Sequence, residues 1–355
     1  MKVKELNKNL KNKLLDLLTY MLNKSLTLRS RNFIYLMKLY KYKLDNYSIK
    51  VLIDLEIENS HGAIIKSIIK RGKINNLSFT FSGSIFKNVN SIRRINHCFN
   101  YWIPLIVKAS KIKSRTFSIC IDSSDKGHPG YLNMDSEYKD KLIPDLYSME
   151  INHKIDNNFS PLDFDQFKKI WLKKKSILYW RGSTTGKIYS NINELNSLQR
   201  IQICNNYKNT DGLDIKITKI VQNKINIRHV RNWLISKNIF TEKIDEEDFK
   251  LYKYYPDIPG NALAWGTIRK YLMGNLIFKP YTKRKLFYYQ FMQPWKDYIP
   301  VTEDFTDLNE KYQWVESNIE EAAFIAWNGY FKANDYINKV PDYFISAVCK
   351  NMTIE

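Results

Sequence analysis

Ile177-Leu178-Tyr179-Trp180-Arg181-Gly182-Ser183-Thr184-Thr185-Gly186 reads as a short buried strand that stops at a glycine-punctuated turn. The apolar run 177–180 fits a strand inside a sheet. Arg181 leaves it at the carboxyl end, and a small, hydroxyl-rich loop follows. Open α/β sheets bind ligands at the carboxyl ends of their strands. Gly182 and Gly186 let the backbone approach an anion, and a guanidinium forks onto phosphate. The stretch is therefore a candidate site for a phosphorylated ligand. The plain alternative is an ordinary strand exit with a solvated arginine, since the lysine and spacing of a P-loop are missing.

A second unit of the same kind follows. Residues 193–208 are expected to be helical, with Leu195, Leu198, Ile201 and Ile203 inward and Arg200 directed back toward 181–186. Leu213 to Val221 is a strand candidate. Phe249 to Trp265 holds a strand, a Pro-Gly-Asn turn and a helix start. Gly260 and Asn261 at a helix N-terminus would present backbone N–H groups to an anion, with Arg269 two turns in. Asn275-Leu276-Ile277-Phe278-Lys279 is the next strand. Two strand–turn–helix units, 177–200 and 250–279, are thus expected to face one ligand.

The chain has 355 residues, and a length of that order favours two domains. Its hydrophobic content of 44% supports folded cores. A formal net charge of +20 favours an anionic partner: nucleic acid, an acidic membrane surface or a phosphorylated substrate. Residues 1–50 hold twelve Lys/Arg against three Asp/Glu. Within them, 4–24 and 31–43 read as basic amphipathic helices, suited to an anionic bilayer or to docking on the first domain. Cys98, Cys120, Cys204 and Cys349 have no paired spacing, and the five histidines show no metal-ligand pattern. That usage suits a reducing cytoplasm. No spanning helix and no signal peptide are expected.

Strands are expected at 51–53, 77–81 and 117–121, and an aromatic-rich helix over 91–112. The strand at 117–121 ends in Asp122-Ser123-Ser124-Asp125-Lys126-Gly127, where a carboxylate could act as a general base or merely cap a turn. Residues 153–164 read as an interdomain linker and 164–175 as a helix. Residues 287–300 are aromatic and amphipathic. A helix over 309–331 closes the series, its last turns weakened by Gly329.

These features together resemble family 90 of the glycosyltransferases. The resemblance rests on Asp122-Ser123-Ser124-Asp125 with Ser136-Glu137-Tyr138-Lys139-Asp140 and Ile143-Pro144; and on Tyr179-Trp180-Arg181-Gly182-Ser183-Thr184-Thr185 with Arg200. It continues in Tyr252-Lys253-Tyr254 through Asp257, Gly260-Asn261 and Trp265 to Gly274-Asn275-Leu276-Ile277-Phe278-Lys279. It ends in Phe287-Tyr288-Tyr289, Pro294-Trp295, Tyr298-Ile299-Pro300-Val301 and Asp307-Leu308, leading to Asn328-Gly329. It covers roughly 117–331; residues 1–115 match nothing nameable.

The resemblance implies an α/β, GT-B-like architecture of two Rossmann-type domains with an interdomain cleft. The expected divisions are a basic N-terminal segment 1–47, an acceptor-side domain 48–160, a nucleotide-sugar domain 161–331 and a C-terminal segment 332–355 packing back on the N-terminal domain. It further implies an inverting, metal-independent transfer from a UDP-sugar, carrying glucose, xylose or a similar sugar. The acceptor is expected to be a hydroxyl of a glycan or a lipid-linked saccharide in lipopolysaccharide or capsule biosynthesis. The family's catalytic Asp falls on Asp125 by its spacing to the strand, with Asp122 as second choice, because Lys126-Gly127 departs from the family's Asp-aromatic-Pro. Donor-binding residues carried over are Arg181, Gly182, Ser183, Thr184, Arg200, Lys253, Asp257, Gly260, Asn261, Trp265 and Arg269. Gly266 and Arg269 stand where some members carry Ser and Arg. No cofactor and no metal are expected, and the location is cytoplasmic, peripheral on the inner membrane face. The rival class is a basic nucleic-acid-binding protein, which salt-sensitive DNA retention without UDP binding would favour.

Overall fold

The computed structural model describes residues 50–57, 63–70, 73–82, 97–112, 117–122, 130–154, 160–351 and 353–354. The basic helices expected at 4–24 and 31–43 lie outside these residues, as does Asp125. Contacts divide the chain into two compact units. One comprises Met1–Ser136, Asp140–Leu146 and Pro341–Glu355, and the other Glu137–Lys139 and Tyr147–Val340.

The first unit is built on a mixed sheet. Its strands are β1 (Lys50–Ile57), β2 (Ala63–Lys70), β3 (Lys73–Ser82) and β4 (Phe117–Asp122), in the order β1-β3-β2-β4. β1 pairs parallel to β3, whereas β2 is antiparallel to both β3 and β4. The β2–β3 register runs from Ala63↔Phe81 to Lys70↔Lys73. Two-residue β5 (Leu132–Asn133) extends β4 in parallel, and β6 (Asp135–Ser136) follows it in the chain. Ile119 and Ile121 of β4 are buried, as are Trp102, Ile103, Leu105, Ile106 and Ala109 at and within the helix Ile103–Ile112. The Trp102 ring stacks on Phe344 at 6.0 Å. The wholly parallel sheet of a Rossmann domain is therefore not what this unit contains.

The second unit does contain a parallel sheet. Its strands are β7 (Lys175–Ser183), β8 (Leu213–Lys219), β9 (Tyr252–Pro256), β10 (Leu276–Pro280) and, beyond two-residue β11 (Lys285–Leu286), β12 (Ile299–Val301). All four pairings are parallel and the order is β12-β10-β9-β7-β8. Parallel neighbours need long crossovers, which is why helices and loops separate each pair of strands in sequence. The apolar runs of β7 and β10 suit strands with both faces covered. Leu178, Tyr179 and Trp180 are buried, as is every residue of β10. From β7 the chain steps out to β8, then returns to the other side of β7 for β9. The sheet direction reverses between β7 and β9, and such a switch point opens a crevice beyond the carboxyl ends of the two strands.

Local signals fix the flanking helices. Asp163 caps the helix Phe164–Leu172 by accepting from Gln166 N–H at 2.9 Å. Gly274, at φ 74°, ends the helix Thr267–Leu272 in the left-handed conformation that glycine adopts at no steric cost. The helix expected over 193–208 is two pieces, Ile192–Asn196 and Gln199–Tyr207.

Two expectations are corrected. The helix expected over 309–331 breaks at Asn318 into Leu308–Ser317 and Ile319–Lys350, and the second piece runs far past Gly329. A Cβ on Gly329 would stand 2.5 Å from the Asp297 carbonyl oxygen, so this glycine serves close packing rather than helix termination. The helix continues because Ala333, Tyr336, Ile337, Val340 and Phe344 keep one buried face. It also tolerates Pro341. The proline withholds an N–H from the Ile337 carbonyl, and the Asn152 side-chain amide donates to that carbonyl instead, at 2.7 Å. The second correction concerns Gly260 and Asn261. They lie in an irregular loop, Gly260 N–H donates to the Ala262 carbonyl at 2.9 Å, and the helix begins only at Thr267. They are not a helix N-terminus.

Candidate functional site

A cavity of about 640 Å³ lies at the switch point. It is lined by Arg181 of β7, Thr218 of β8, Tyr255 of β9, the segment Lys243-Ile244-Asp245-Glu246 with Phe249, and Gly266 with Lys270. Three neighbouring strands thus lend it residues near their carboxyl ends, where the topology places a ligand crevice.

Strand periodicity sets the wall. Residues 179 and 181 share one face of β7, so the Arg181 guanidinium lies 4.0 Å over the Tyr179 ring. The register pairs Tyr179 with Asp214 and Arg181 with Lys216. Asp214 therefore sits diagonally from Arg181 on the same face, and its carboxylate meets Nη2 at 2.5 Å. Arg181 Nη1 donates to the carbonyls of Trp180 and Asp214 at 2.9 and 2.8 Å. Its Nε is buried with no partner among the described residues. Burial pushes the Tyr179 hydroxyl up to about 12, so that ring is neutral beneath the cation.

The far wall is a charged triad. Glu246 opens the 3-10 segment Glu246–Leu251, and one carboxylate oxygen accepts from Lys270 Nζ at 2.9 Å while the other accepts from Arg269 Nη1 at 2.6 Å. Arg269 also approaches Glu150 at 3.6 Å and lies over the Tyr147 ring. The Lys270 ammonium rests 4.0 Å from the Phe249 ring centre. Burial pushes the Glu246 carboxyl up, but Lys270 and Arg269 outweigh it and the net shift is downward. Burial lowers the Lys270 pKa, and Glu246 only partly restores it.

On the opposite face of β7, Arg200 stitches two loops together. It lies 5.3 Å over the Trp180 ring. Its Nε donates to the Pro259 carbonyl at 2.8 Å, Nη1 to the Ser183 carbonyl at 3.1 Å and Nη2 to the Ile258 carbonyl at 3.0 Å. Gly260 eases a close fit there: a Cβ would stand 3.1 Å from Arg200 Nη2 and from Thr185 Cγ2. The space beside Gly182 is filled by the Trp180 ring, 2.2 Å from where a Cβ would be. Both glycines are thus accounted for by close approach of a side chain. Thr184 is buried, donating to the Val221 carbonyl and accepting from its N–H, both at 2.9 Å, and Ser183 bonds Thr185 through their hydroxyls. Asn261 accepts from Gln222 at 3.2 Å.

Asp257, just beyond β9, is buried. It accepts from Thr267 Oγ1 at 2.7 Å and from Tyr289 Oη at 2.8 Å. Burial raises its pKa, although Lys279 opposes the rise. Lys253 lies at the other end of the sheet, where Nζ donates to Ser176 at 2.9 Å near the start of β7.

Of the residues singled out from sequence, Arg181 lines the cavity. Arg269 joins it through Glu246, and Trp265 flanks Gly266 with its ring 6.2 Å from Tyr147. Arg200, Gly182, Ser183, Thr184, Gly260 and Asn261 form the loop contact instead, and Lys253 stays apart. Asp122 ends β4 in the first unit with its side chain buried. Sequence reasoning missed Thr218, Lys243, Glu246, Phe249, Tyr255 and Lys270. A usable signal was Asp245-Glu246-Glu247-Asp248, an acidic run just before a strand in a chain of charge +20. Among the described residues no three His, Cys, Asp or Glu are grouped to hold a metal ion, and no helix is long and apolar enough to cross a membrane.

Comparison with known proteins supplies the family. The model of glycosyl transferase family 90 matches residues 135–350, more than half of the chain. Among individual relatives, human Protein O-glucosyltransferase 3 is 33% identical over 90 residues, covering 25% of this chain and 18% of that protein. Zebrafish (Danio rerio) Protein O-glucosyltransferase 2 is 28% identical over 160 residues, 45% of this chain and 29% of that protein. Human Protein O-glucosyltransferase 1 is 28% identical over 163 residues, 45% of this chain and 36% of that protein. The aligned stretches thus span well under half the length of each of these relatives. The chain, with its parallel sheet and the cavity at its switch point inside the matched region, belongs to glycosyl transferase family 90.

Proposed function

We propose that the second unit binds a UDP-sugar in the cavity at the β7/β9 switch point and that the chain transfers the sugar, with inversion, to an acceptor hydroxyl. The observation that carries this reading is the meeting of Arg181, Lys270, Tyr255 and Phe249 around one cavity at the carboxyl edge of a parallel sheet. Aromatic walls suit a base and a ribose. The cations suit a diphosphate, whose charge grows as the glycosidic bond breaks; donors aimed at that charge act more on the transition state than on the ground state. No metal ion is assigned a part.

In the proposed step a carboxylate of the first unit takes the acceptor proton as the hydroxyl oxygen forms its bond to the anomeric carbon. The bond from that carbon to the diphosphate oxygen breaks, and its electron pair leaves with the nucleoside diphosphate. Asp125 is the first choice of base and Asp122 the second, because the buried side chain of Asp122 is poorly placed to meet an acceptor. The reading assumes a GT-B-like use of the two units. The relatives' names support glucose as the sugar and a protein hydroxyl as the acceptor. A lipopolysaccharide or capsule glycan is the second acceptor reading, favoured by a basic stretch at 1–50 suited to an anionic inner membrane face.

The test is thermal unfolding with and without UDP, UDP-glucose, UDP-xylose and UDP-galactose, followed by release of UDP from the stabilising donor in the presence of each acceptor. A ligand at 100 times its Kd stabilises by about 2.7 kcal/mol. Absence of stabilisation by every nucleotide, together with salt-sensitive DNA retention, would return the protein to the nucleic-acid-binding class.

A further inference from the structure

We propose that Glu246 is a built-in counter-anion. Its carboxylate holds the anion position of the cavity and gives way to phosphate oxygens when a diphosphate ligand enters. The inference rests on the nucleotide reading of the cavity and names the subsite that receives the charge.

The geometry is that of a ligand mimic. The two oxygens of one carboxylate each take a separate cation, Lys270 at 2.9 Å and Arg269 at 2.6 Å, as two oxygens of a diphosphate would. The exposures are unequal. The Lys270 side chain is 5% exposed and that of Glu246 is 40%, so the carboxylate lies on the water side and covers an ammonium seated against the Phe249 ring. A nearly buried ammonium left alone is strongly unfavourable. Glu246 meets that need in this structure, and an entering oxyanion can meet it equally well. The backbone that carries Glu246 permits the exchange. Residues 241–245 have no regular secondary structure, and the 3-10 segment that follows has no side-chain cap at Asp245. Lys243, on the same lining segment, adds a cation at the exposed rim.

A consequence is selectivity by charge. Exchange keeps the charge balance only for a ligand that brings at least the negative charge of the carboxylate it replaces. A nucleoside without phosphate leaves Glu246 where it is, whereas pyrophosphate or UDP displaces it.

The experiment is calorimetric titration of the full chain with UDP, pyrophosphate and uridine. Glu246→Gln should tighten UDP and pyrophosphate about threefold to tenfold, the loss of a partly exposed competing ion pair, and leave uridine unchanged. Adding Lys270→Met should abolish that gain. A purely structural Glu246 would move affinity the other way or not at all, so unchanged or weaker UDP binding by a folded Glu246→Gln overturns the inference. Glu246→Ala carries the same expectation if the glutamine variant does not fold, and failure of both to fold overturns it as well. If pyrophosphate tightens while UDP binds neither protein, the nucleotide reading falls and the counter-anion stands. If UDP binds the unmodified chain but no variant tightens it, only the counter-anion falls. If neither anion binds any of the proteins, both fall.

Discussion

On one face of β7, Arg181 lies 4.0 Å over Tyr179 with a carboxylate among its partners; on the other, Arg200 lies 5.3 Å over Trp180 with backbone carbonyls on all three nitrogens. The two guanidiniums lie over the rings of neighbouring residues of one strand and are identical in charge. Both are held by backbone carbonyls, but Arg181 has them on Nη1 alone and gives Nη2 to a carboxylate, whereas Arg200 has them on every nitrogen. Carbonyls of Ser183, Ile258 and Pro259 are fixed by the chain and cannot leave, so Arg200 is committed to joining the exits of β7 and β9. Asp214 is a side chain, 36% exposed, whose place an oxyanion can share or take. An arginine beside a cavity is therefore read by the mobility of its acceptors, not by its position in a motif.

The comparison breaks most sharply on Arg181→Ala. If the proposed donor reading holds, removing one donor aimed at developing negative charge costs about 10²–10³-fold in turnover, and release of UDP from a UDP-sugar measures it. Stability should fall by about 1–2 kcal/mol, less than for Arg200, since two carbonyls lose a charged donor while the Asp214 carboxylate left behind is partly solvated. Arg200→Ala should do the reverse in kind. Three backbone carbonyls lose a charged donor, and urea unfolding should show a loss of about 2–4 kcal/mol. Arg200→Lys should recover less than half of it, because one ammonium cannot span carbonyls that a planar fork reaches together. Equal instability in the two alanine variants would erase the distinction.

How much of this was legible follows from the range over which each signal acts. β7 and β10 were plain in sequence because buried parallel strands are locally apolar, but β7 does not stop at the glycine: it runs on through Arg181, Gly182 and Ser183. Glu246 and Lys270 were not legible, because neither has a local pattern; their meeting depends on the loop before β9 folding against the helix after it. The role of Arg200 was half legible. Its direction toward 181–186 follows from helix geometry, but its acceptors come from 258 and 259, some sixty residues away. Gly329 misled because a glycine in a helix usually signals weakness, and only the Asp297 carbonyl pressing on it reveals the packing reason. Gly182 and Gly260 were legible as places of close approach. The approaching groups, Trp180 and Arg200, were not.

Gly260→Ala probes how tightly Arg200 closes the loop contact. The new Cβ would stand 3.1 Å from Nη2 and from Thr185 Cγ2. The neighbours must yield by a few tenths of an ångström, and a loss of about 1 kcal/mol in urea unfolding is expected, at the low end of overpacking costs. A neutral or stabilising alanine would show that the two loops are held apart more loosely than the hydrogen bonds of Arg200 imply.

The smallest effect tests a third cation at the same sheet edge. Lys279 of β10 is buried over the Tyr289 ring, and burial, only partly offset by Asp257, brings it down to about 8. A guanidinium cannot answer burial by giving up its proton; an ammonium can. Between pH 8 and the usual lysine range the unfolded chain binds the extra proton, so stability rises with pH there, by at most about 1.4 kcal/mol per pH unit for one group. Below pH 8 both states are protonated and the slope disappears. Lys174, also brought to about 8 by burial, contributes with the same sign, so the measured quantity is the difference between the unmodified chain and Lys279→Met in urea unfolding from pH 7 to 10. The variant should show the shallower rise above pH 8. Identical slopes would mean that Lys279 keeps its proton, with Asp257 as a full counter-charge.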